Sequence, residues 1–448
     1  MQKSKSDEKI QQHKTFVIIL LLSALICLNP FYGCSPSVGG TLSAYSQEER
    51  AVQLGRKLCE NYVYDKDGST YVAQSVERMF MAKRNVASVW HVTSVIAATN
   101  YLVACCDGEN KEFFADVNAK LWDNLTYYAG TAEIVTYSSK SVQRMFAVNR
   151  AEQAEKADIS GIKAVYDDQM WLIREALQTY KNTSERKYLE QAEALAETCL
   201  DGWDYSTDGN GREFGGITWG AGYASKHSCS NAPLIAPLVD LYEIYIDSSP
   251  EKADYYLNFA KKIYDFCRAT FENSEGVYGD LIGTEFITDD DGIKHTTSHG
   301  TLDPTAYTYN TGSVLQGAAK LYKATGDVGY IEYARSLADI AHGFFAKTDS
   351  STGLVQYDTD NNAWFNFQLL LGYIELQKAD TEKQGNVRQY IGEFEQTLNY
   401  ACEFYYDRGL LPRDLIGGWS LRNEDRNKDV LDSAAYVEML TAILLLGE

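Results

Sequence analysis

Proline is scarce in this chain, with seven residues in 448, and no Pro/Gly/Ser-rich stretch marks a linker. A two-domain layout wants such a hinge, so one large domain is favoured. Histidine is scarcer still: His13, His91, His227, His295, His299 and His342 are all there is, and neither they nor the cysteines fall at metal-ligand spacing. With no Cys-x-x-Cys either, zinc-finger and thioredoxin-like motifs are excluded. Basic residues are outnumbered, 41 against 62 acids, for a formal charge of -21. A protein this acidic does not seek nucleic acid or anionic surfaces, so its ligand is expected to be neutral or cationic. Simple solubility of an exported protein would also explain the charge.

One long hydrophobic run is present, from Phe16 to Leu28, behind Lys3, Lys5, Lys9 and Lys14. Thirteen residues are too few for a resident membrane span and suit an export signal. Residues 1–33 are therefore read as a signal peptide, 34–45 as a flexible tether and 46–448 as one folded domain. Without residues 1–33 the charge becomes -23, since four lysines and two acids leave with them. Gly33-Cys34 resembles a bacterial lipoprotein processing site, although Phe31 and Tyr32 are bulkier than that pattern prefers. The resemblance implies lipidation of Cys34 and a place in the bacterial cell envelope, anchored in the outer membrane or facing the periplasm. Membrane contact would then run through the lipid alone. The later cysteines, Cys59, Cys105, Cys106, Cys199, Cys229, Cys267 and Cys402, are scattered and suit packing as small apolar residues. Their odd number leaves at least one free thiol, and one disulfide is compatible with the count.

Helical periodicity recurs in pairs joined by short polar turns. Ala176 to Tyr180 leads through Asn182-Thr183-Ser184 to Tyr188-Leu189 and Ala192; the figure returns at Leu241–Ala260 and at Leu321–Ala334. The second-helix tyrosines Tyr188, Tyr256 and Tyr330 are 68 and 74 residues apart. This is a helical-hairpin array. Helices are expected over about 46–63, 86–104, 111–128, 168–181, 185–200, 231–247, 251–272, 310–325, 327–346, 362–379, 387–405 and 431–446. Twelve helices make six hairpins. The apolar last helix is not cap-like, which favours an all-α toroid, an (α/α)6 barrel, over an open solenoid.

The segments before the inner helices are rich in Gly, aromatics and polar side chains, so function is expected on one rim. Asp167 and Asp168 open a helix there. Two such close carboxylates, partly desolvated, split into an acid and a base near neutral pH, as glycoside hydrolysis requires. The plain alternative makes Asp167 an N-cap and Asp168 a first-turn acid. Aromatics around an acidic mouth suit sugar rings; Trp203 and Trp364 are expected in the core, whereas Trp219, among glycines that let backbone approach a ligand, is expected at the site. Asp289-Asp290-Asp291-Gly292 lacks the later ligands of an EF-hand and reads as a β-hairpin turn.

Taken together, Tyr166-Asp167-Asp168-Gln169-Met170-Trp171, Gly215-Gly216-Ile217-Thr218-Trp219, Ser230-Asn231-Ala232-Pro233, Tyr307-Thr308-Tyr309-Asn310-Thr311-Gly312 and Asp432-Ser433-Ala434-Ala435 resemble glycoside hydrolase family 76, the α-1,6-mannanases with an (α/α)6 fold. The resemblance spans most of 160–445. It implies retention, with Asp167 as nucleophile and Asp168 as acid/base, roles that the residues alone do not assign. It also implies Trp219, Tyr307, Tyr309 and Asn310 as subsite residues; Asn231, Lys226 and Trp419, on the same rim segments, are candidate substrate contacts. Met170 and Leu172 replace the aromatic and acidic residues common after the pair in that family.

The expected function is thus endo-hydrolysis of neutral α-1,6-mannan by a monomer, with no cofactor and no metal, since two carboxylates suffice. The alternatives are a glycan-binding lipoprotein without turnover, which has no reason to keep the Asp pair, and an unsaturated glycuronidase, whose acidic substrate would need more than Lys226, Arg212 and Arg413.

Overall fold

The computed structural model describes Leu42 and residues 45–137, 139–382 and 385–447. The expected signal peptide, Cys34 and, apart from Leu42 and Tyr45, the tether lie outside the described residues. Twelve helices carry the fold: α1 (Gln47–Tyr62), α2 (Val89–Cys105), α3 (Gly108–Leu125), α4 (Tyr166–Thr183), α5 (Arg186–Leu200), α6 (Ala232–Tyr245), α7 (Pro250–Phe271), α8 (Thr308–Thr325), α9 (Val328–Phe345), α10 (Ala363–Ala379), α11 (Val387–Phe404) and α12 (Val430–Gly447). Among the described residues, further short turns of helix include Ser228–Ser230 and Asn423–Arg426. Each expected helix is present, within about three residues at either end.

The even-numbered helices pack in a closed ring, α2 on α4, then α6, α8, α10, α12 and back to α2. The odd-numbered helices stand outside it: α3, α5, α7, α9 and α11 each pair with the helix before them, and α1 pairs with α12. This is the (α/α)6 barrel. Five hairpins are consecutive in sequence; the sixth joins the first helix to the last, which is how the ring closes. The division follows from composition. α2, α6 and α12 are apolar on nearly every face and are buried almost throughout, whereas α1, α5 and α11 carry one apolar stripe and a charged outer face. Among the described helices α12 alone is long and apolar enough to cross a membrane, yet 78% of that stretch is buried inside the ring. α8 and α10 approach closely, so that a Cβ on Gly372 would come within 2.7 Å of the Gly312 carbonyl oxygen.

Short antiparallel ribbons crown one end. β1 (Val63–Lys66), β2 (Ser69–Glu77) and β3 (Ala82–Val86) form a sheet in which β2 also pairs with Asn427–Asp429, placing Val76 opposite both Lys83 and Lys428. β4 (Ala129–Val135) pairs with β5 (Lys140–Phe146). β6 (Lys226–His227), β7 (Leu281–Thr288) and β8 (Lys294–Leu302) form a third sheet, with Ile282 between Lys226 and Leu302. The acidic run at 289–292 turns the β7–β8 hairpin, as expected. The seven described cysteines are all free thiols, six of them buried.

Candidate active site

Because every inner helix has an outer partner running back beside it, all six inner helices start at the ribbon-bearing end. The first turns of α2, α4, α8 and α10, with the approach to α6, line one cleft of about 710 Å³. Trp90 comes from α2; Asp167, Asp168 and Trp171 from α4; Tyr307 and Tyr309 from the start of α8; Trp364 and Phe365 from α10. His227 and Cys229 line it from the approach to α6, Trp219 and Tyr223 from the long loop after α5, and Asp280 from the segment before β7. One wall is a connected aromatic surface: Trp171 meets Trp364 edge-on at 4.7 Å, and Phe365 lies 4.3 Å from Tyr309 and 5.7 Å from Tyr307.

The two carboxyls differ in surroundings. Val165 occupies the N-cap position of α4 without a side-chain bond, so Asp167 is not the cap. Asp167 Oδ2 instead accepts from the Trp219 indole N–H at 3.0 Å and Oδ1 from the Asp168 backbone N–H at 2.9 Å. Burial pushes the Asp167 carboxyl up to about 6, while the Trp219 bond and the backbone amide act in the opposite direction and hold it within reach of ionisation. Asp168 is buried and, among the described residues, no hydrogen bond holds its carboxyl. Burial first, and the Asp167 charge second, raise it well above the usual carboxylate range. The pair is therefore unequal, with Asp167 the more readily ionised carboxyl and Asp168 the one that holds its proton more tightly.

The Trp219 ring is held in turn. It stacks on His227 at 4.9 Å, with the planes 24° apart, and leans on Tyr223 at 4.7 Å. Burial pushes His227 down to about 4, so it is a neutral ring, 2.8 Å from the Ser225 hydroxyl. Trp219 O also accepts from Tyr166 N at 2.8 Å, which ties the loop to the first turn of α4.

The family model of glycosyl hydrolase family 76 matches residues 100–374. The chain belongs to that family. Among curated relatives, mannan endo-1,6-alpha-mannosidase DCW1 of Candida albicans is 27% identical over 177 residues, 39% of this chain and 35% of that protein. This family 76 chain thus matches only about a third of the length of such relatives. A solved family 76 glycoside hydrolase from a bovine Bacteroides thetaiotaomicron strain has the same fold, with a TM-score of 0.71 at 21% identity over 91% of this chain and 78% of that one. So does an inactive variant of the α-1,6-mannanase of Salegentibacter sp. HEL1_6, with two neighbouring aspartates changed to asparagine and α-1,6-mannotriose bound: its TM-score is 0.65 at 19% identity, over 90% of this chain and all of that one.

In this family 76 protein the cleft gathers Asp167, Asp168, Trp219, Tyr307 and Tyr309, five of the expected residues. Four expected contacts lie elsewhere. Lys226 is fully buried: its ammonium pairs with Asp204 at 2.6 Å, donates to Gly215 O at 2.5 Å and lies 3.1 Å from His299 Nε2. Burial and the Lys226 charge push His299 down to about 4, so its ring nitrogen is free to accept. Asn231 is spent on the chain itself, accepting from Ile217 N and donating to Ile217 O and His227 O. Asn310 sits one layer behind the cleft, where its side chain steadies Asp280 and reaches Gly279 O at 3.5 Å. Trp419 donates to Tyr405 O at 2.8 Å and lies under the Arg78 guanidinium, away from the cleft. Arg413 is likewise consumed, by Asp432 at 3.2 Å.

The glycines before Trp219 serve packing rather than ligand approach: at Gly216, with φ +80°, a Cβ would overlap the Phe266 ring. Trp203 is core, as expected; Trp364, though 2% exposed, lines the cleft after all. Sequence reasoning did not single out His227, Cys229 or Asp280. Asp280 was within a flagged rim segment, but a lone Asp after Tyr-Gly has no distinguishing spacing.

Proposed function

We propose that this chain is an endo-acting α-1,6-mannanase that hydrolyses its substrate with retention of configuration. The observation that carries the reading is the unequal Asp pair: Asp167 is bonded as an anion by Trp219 and a backbone amide, and Asp168 is kept protonated by burial and its charged neighbour. Such a division fits double displacement. Asp167 attacks the anomeric carbon while Asp168 gives its proton to the departing glycosidic oxygen, leaving a glycosyl ester on Asp167. Asp168, now ionised, takes a proton from water, whose oxygen attacks the same carbon and releases Asp167. The mannotriose-bound relative with both neighbouring aspartates replaced is described as inactive, which supports the same pair here.

The aromatic walls supply faces for the C–H surfaces of pyranose rings. Lys163 is the single lysine or arginine lining the cleft, and it is tied to Asp158, which favours a neutral polymer over a glycuronide. Mannan is the substrate class of the curated relatives. Tyr307, Tyr309, Trp219, Trp364 and Phe365 form the subsite walls in this reading. Export, lipidation at Cys34 and action at the cell envelope complete it, supported by the N-terminal lysines, the apolar run and Gly33-Cys34.

The test is product analysis of residues 35–448 on debranched α-1,6-mannan beside an Asp168→Asn control. Short manno-oligosaccharides from the wild type alone support the reading; release by both chains, or by neither, overturns it.

A further inference from the structure

A second groove, of about 530 Å³, shares no lining residue with the catalytic cleft. It lies on the outer wall where β5, the C-terminal turns of α5 and the early turns of α7 meet. Two tyrosines open onto it, Tyr205 at 45% and Tyr255 at 38% exposure, unusually bare for large aromatics. Both rings are braced: the Tyr255 hydroxyl donates to Glu197 at 2.9 Å, and the Lys262 ammonium, paired with Glu213, supports the Tyr205 ring at 4.7 Å.

The floor is polar and built. Asp201 Oδ2 accepts from the hydroxyls of Ser139 at 2.5 Å and Ser141 at 3.2 Å, and from Gln143 Nε2 at 2.5 Å. Gln143 is only 7% exposed, yet among the described residues its Oε1 has no hydrogen-bond partner. A buried amide oxygen without a donor is uncommon, and the residue that carries it lines the groove.

We propose that this groove is a second, non-catalytic saccharide site that holds a neutral pyranose segment of the polymer cut in the cleft. The identity of that polymer rests on the proposed mannanase activity; the ligand class rests on the groove itself. Glu197 and Asp201 face it with no lysine or arginine in the lining, which disfavours anions. Among the described residues no group of three or more His, Cys, Asp or Glu is placed to hold a metal ion. Bare aromatic faces beside hydroxyl-seeking acceptors match the two surfaces of a sugar, apolar C–H and polar O–H.

The test uses residues 35–448 carrying Asp168→Asn, run on native gels containing debranched α-1,6-mannan, with and without Tyr205→Ala/Tyr255→Ala. The double change should weaken retardation by about fivefold or more, from the stacking lost at two rings. In the otherwise wild-type chain it should raise KM on the polymer by a similar factor and leave α-1,6-mannotetraose turnover unchanged. Tyr205→Ala alone, at the more exposed of the two rings, should show part of the effect and guards against misfolding of the double variant. Retardation that is absent from the start, or that ignores the tyrosines and vanishes with Trp219→Ala, overturns the groove. Tyrosine-dependent retardation without any hydrolysis by the wild type overturns the mannanase reading and upholds the groove.

Discussion

Replacing Trp219 by Phe removes one hydrogen bond and keeps most of the ring. The bond lost runs from the indole N–H to Asp167 Oδ2 at 3.0 Å, and the stack on His227 can persist. A hydrogen bond to a charged group contributes about 1.5–3 kcal/mol, and about 1.4 kcal/mol corresponds to one pKa unit. The bond favours the ionised carboxylate, so its loss raises the Asp167 pKa from about 6 by roughly one to two units. In the proposed mechanism a protonated Asp167 cannot attack the anomeric carbon, so kcat/KM should fall as pH drops through that value. The acid limb should therefore move from about 6 to between about 7 and 8, costing roughly ten- to hundredfold near pH 5 and little at the alkaline side. The assay is kcat/KM on α-1,6-mannotetraose across the pH range for both chains. A lowered plateau with the acid limb still near 6 would refute the reasoning and reduce Trp219 to a subsite wall.

Three further substitutions probe the same geometry. Asp168→Asn should lose roughly 10²–10⁴-fold in turnover of natural substrates, since the leaving oxygen no longer receives a proton. Its stability should also behave differently: the folded Asp168 pKa is raised, so the wild type loses stability as pH rises above about 4 and the variant does not, widening the melting-temperature gap toward pH 8; parallel melting curves would contradict this. Lys226→Met leaves Asp204 buried without its cation and should cost about 3–5 kcal/mol in denaturant unfolding, whereas a raised KM with stability unchanged would restore Lys226 as a substrate contact. Gly216→Ala, at φ +80° against Phe266, should cost about 2 kcal/mol or more of stability and loosen the Trp219 loop, read as a raised acid limb in the same pH profile.

The helices were legible because their signal is local. Tyr188, Tyr256 and Tyr330 repeat with the hairpins, and each expected helix is found near its expected bounds. Ring closure by α1 and α12 depends on a contact between the two ends of the chain, which no local pattern encodes. The ribbons at 63–86 and 129–146 were missed for different reasons: the first carries a plain two-residue hairpin signal, Asp67-Gly68 between the paired Lys66 and Ser69 with both residues at positive φ, which was overlooked, whereas the second is short, partly exposed and joined by a longer loop without glycine. At the site, Asp167 and Asp168 stood out as adjacent charges beside aromatics. Their division of labour did not, since it depends on which carboxyl the Trp219 indole reaches. Lys226 shows the opposite failure: a lysine on a glycine-rich rim segment looks available, and only the fold reveals Asp204 waiting for it.

Under the proposed double displacement by Asp167 and Asp168, each bond cut in α-1,6-mannan keeps its anomeric configuration in the first product. Proton NMR of the anomeric signals during the first minutes of digestion, before mutarotation mixes them, tests it most directly. The expected first product carries the α-configured reducing end, absent with Asp168→Asn. A β-configured first product would contradict the mechanism, and no new reducing end at all would contradict the activity.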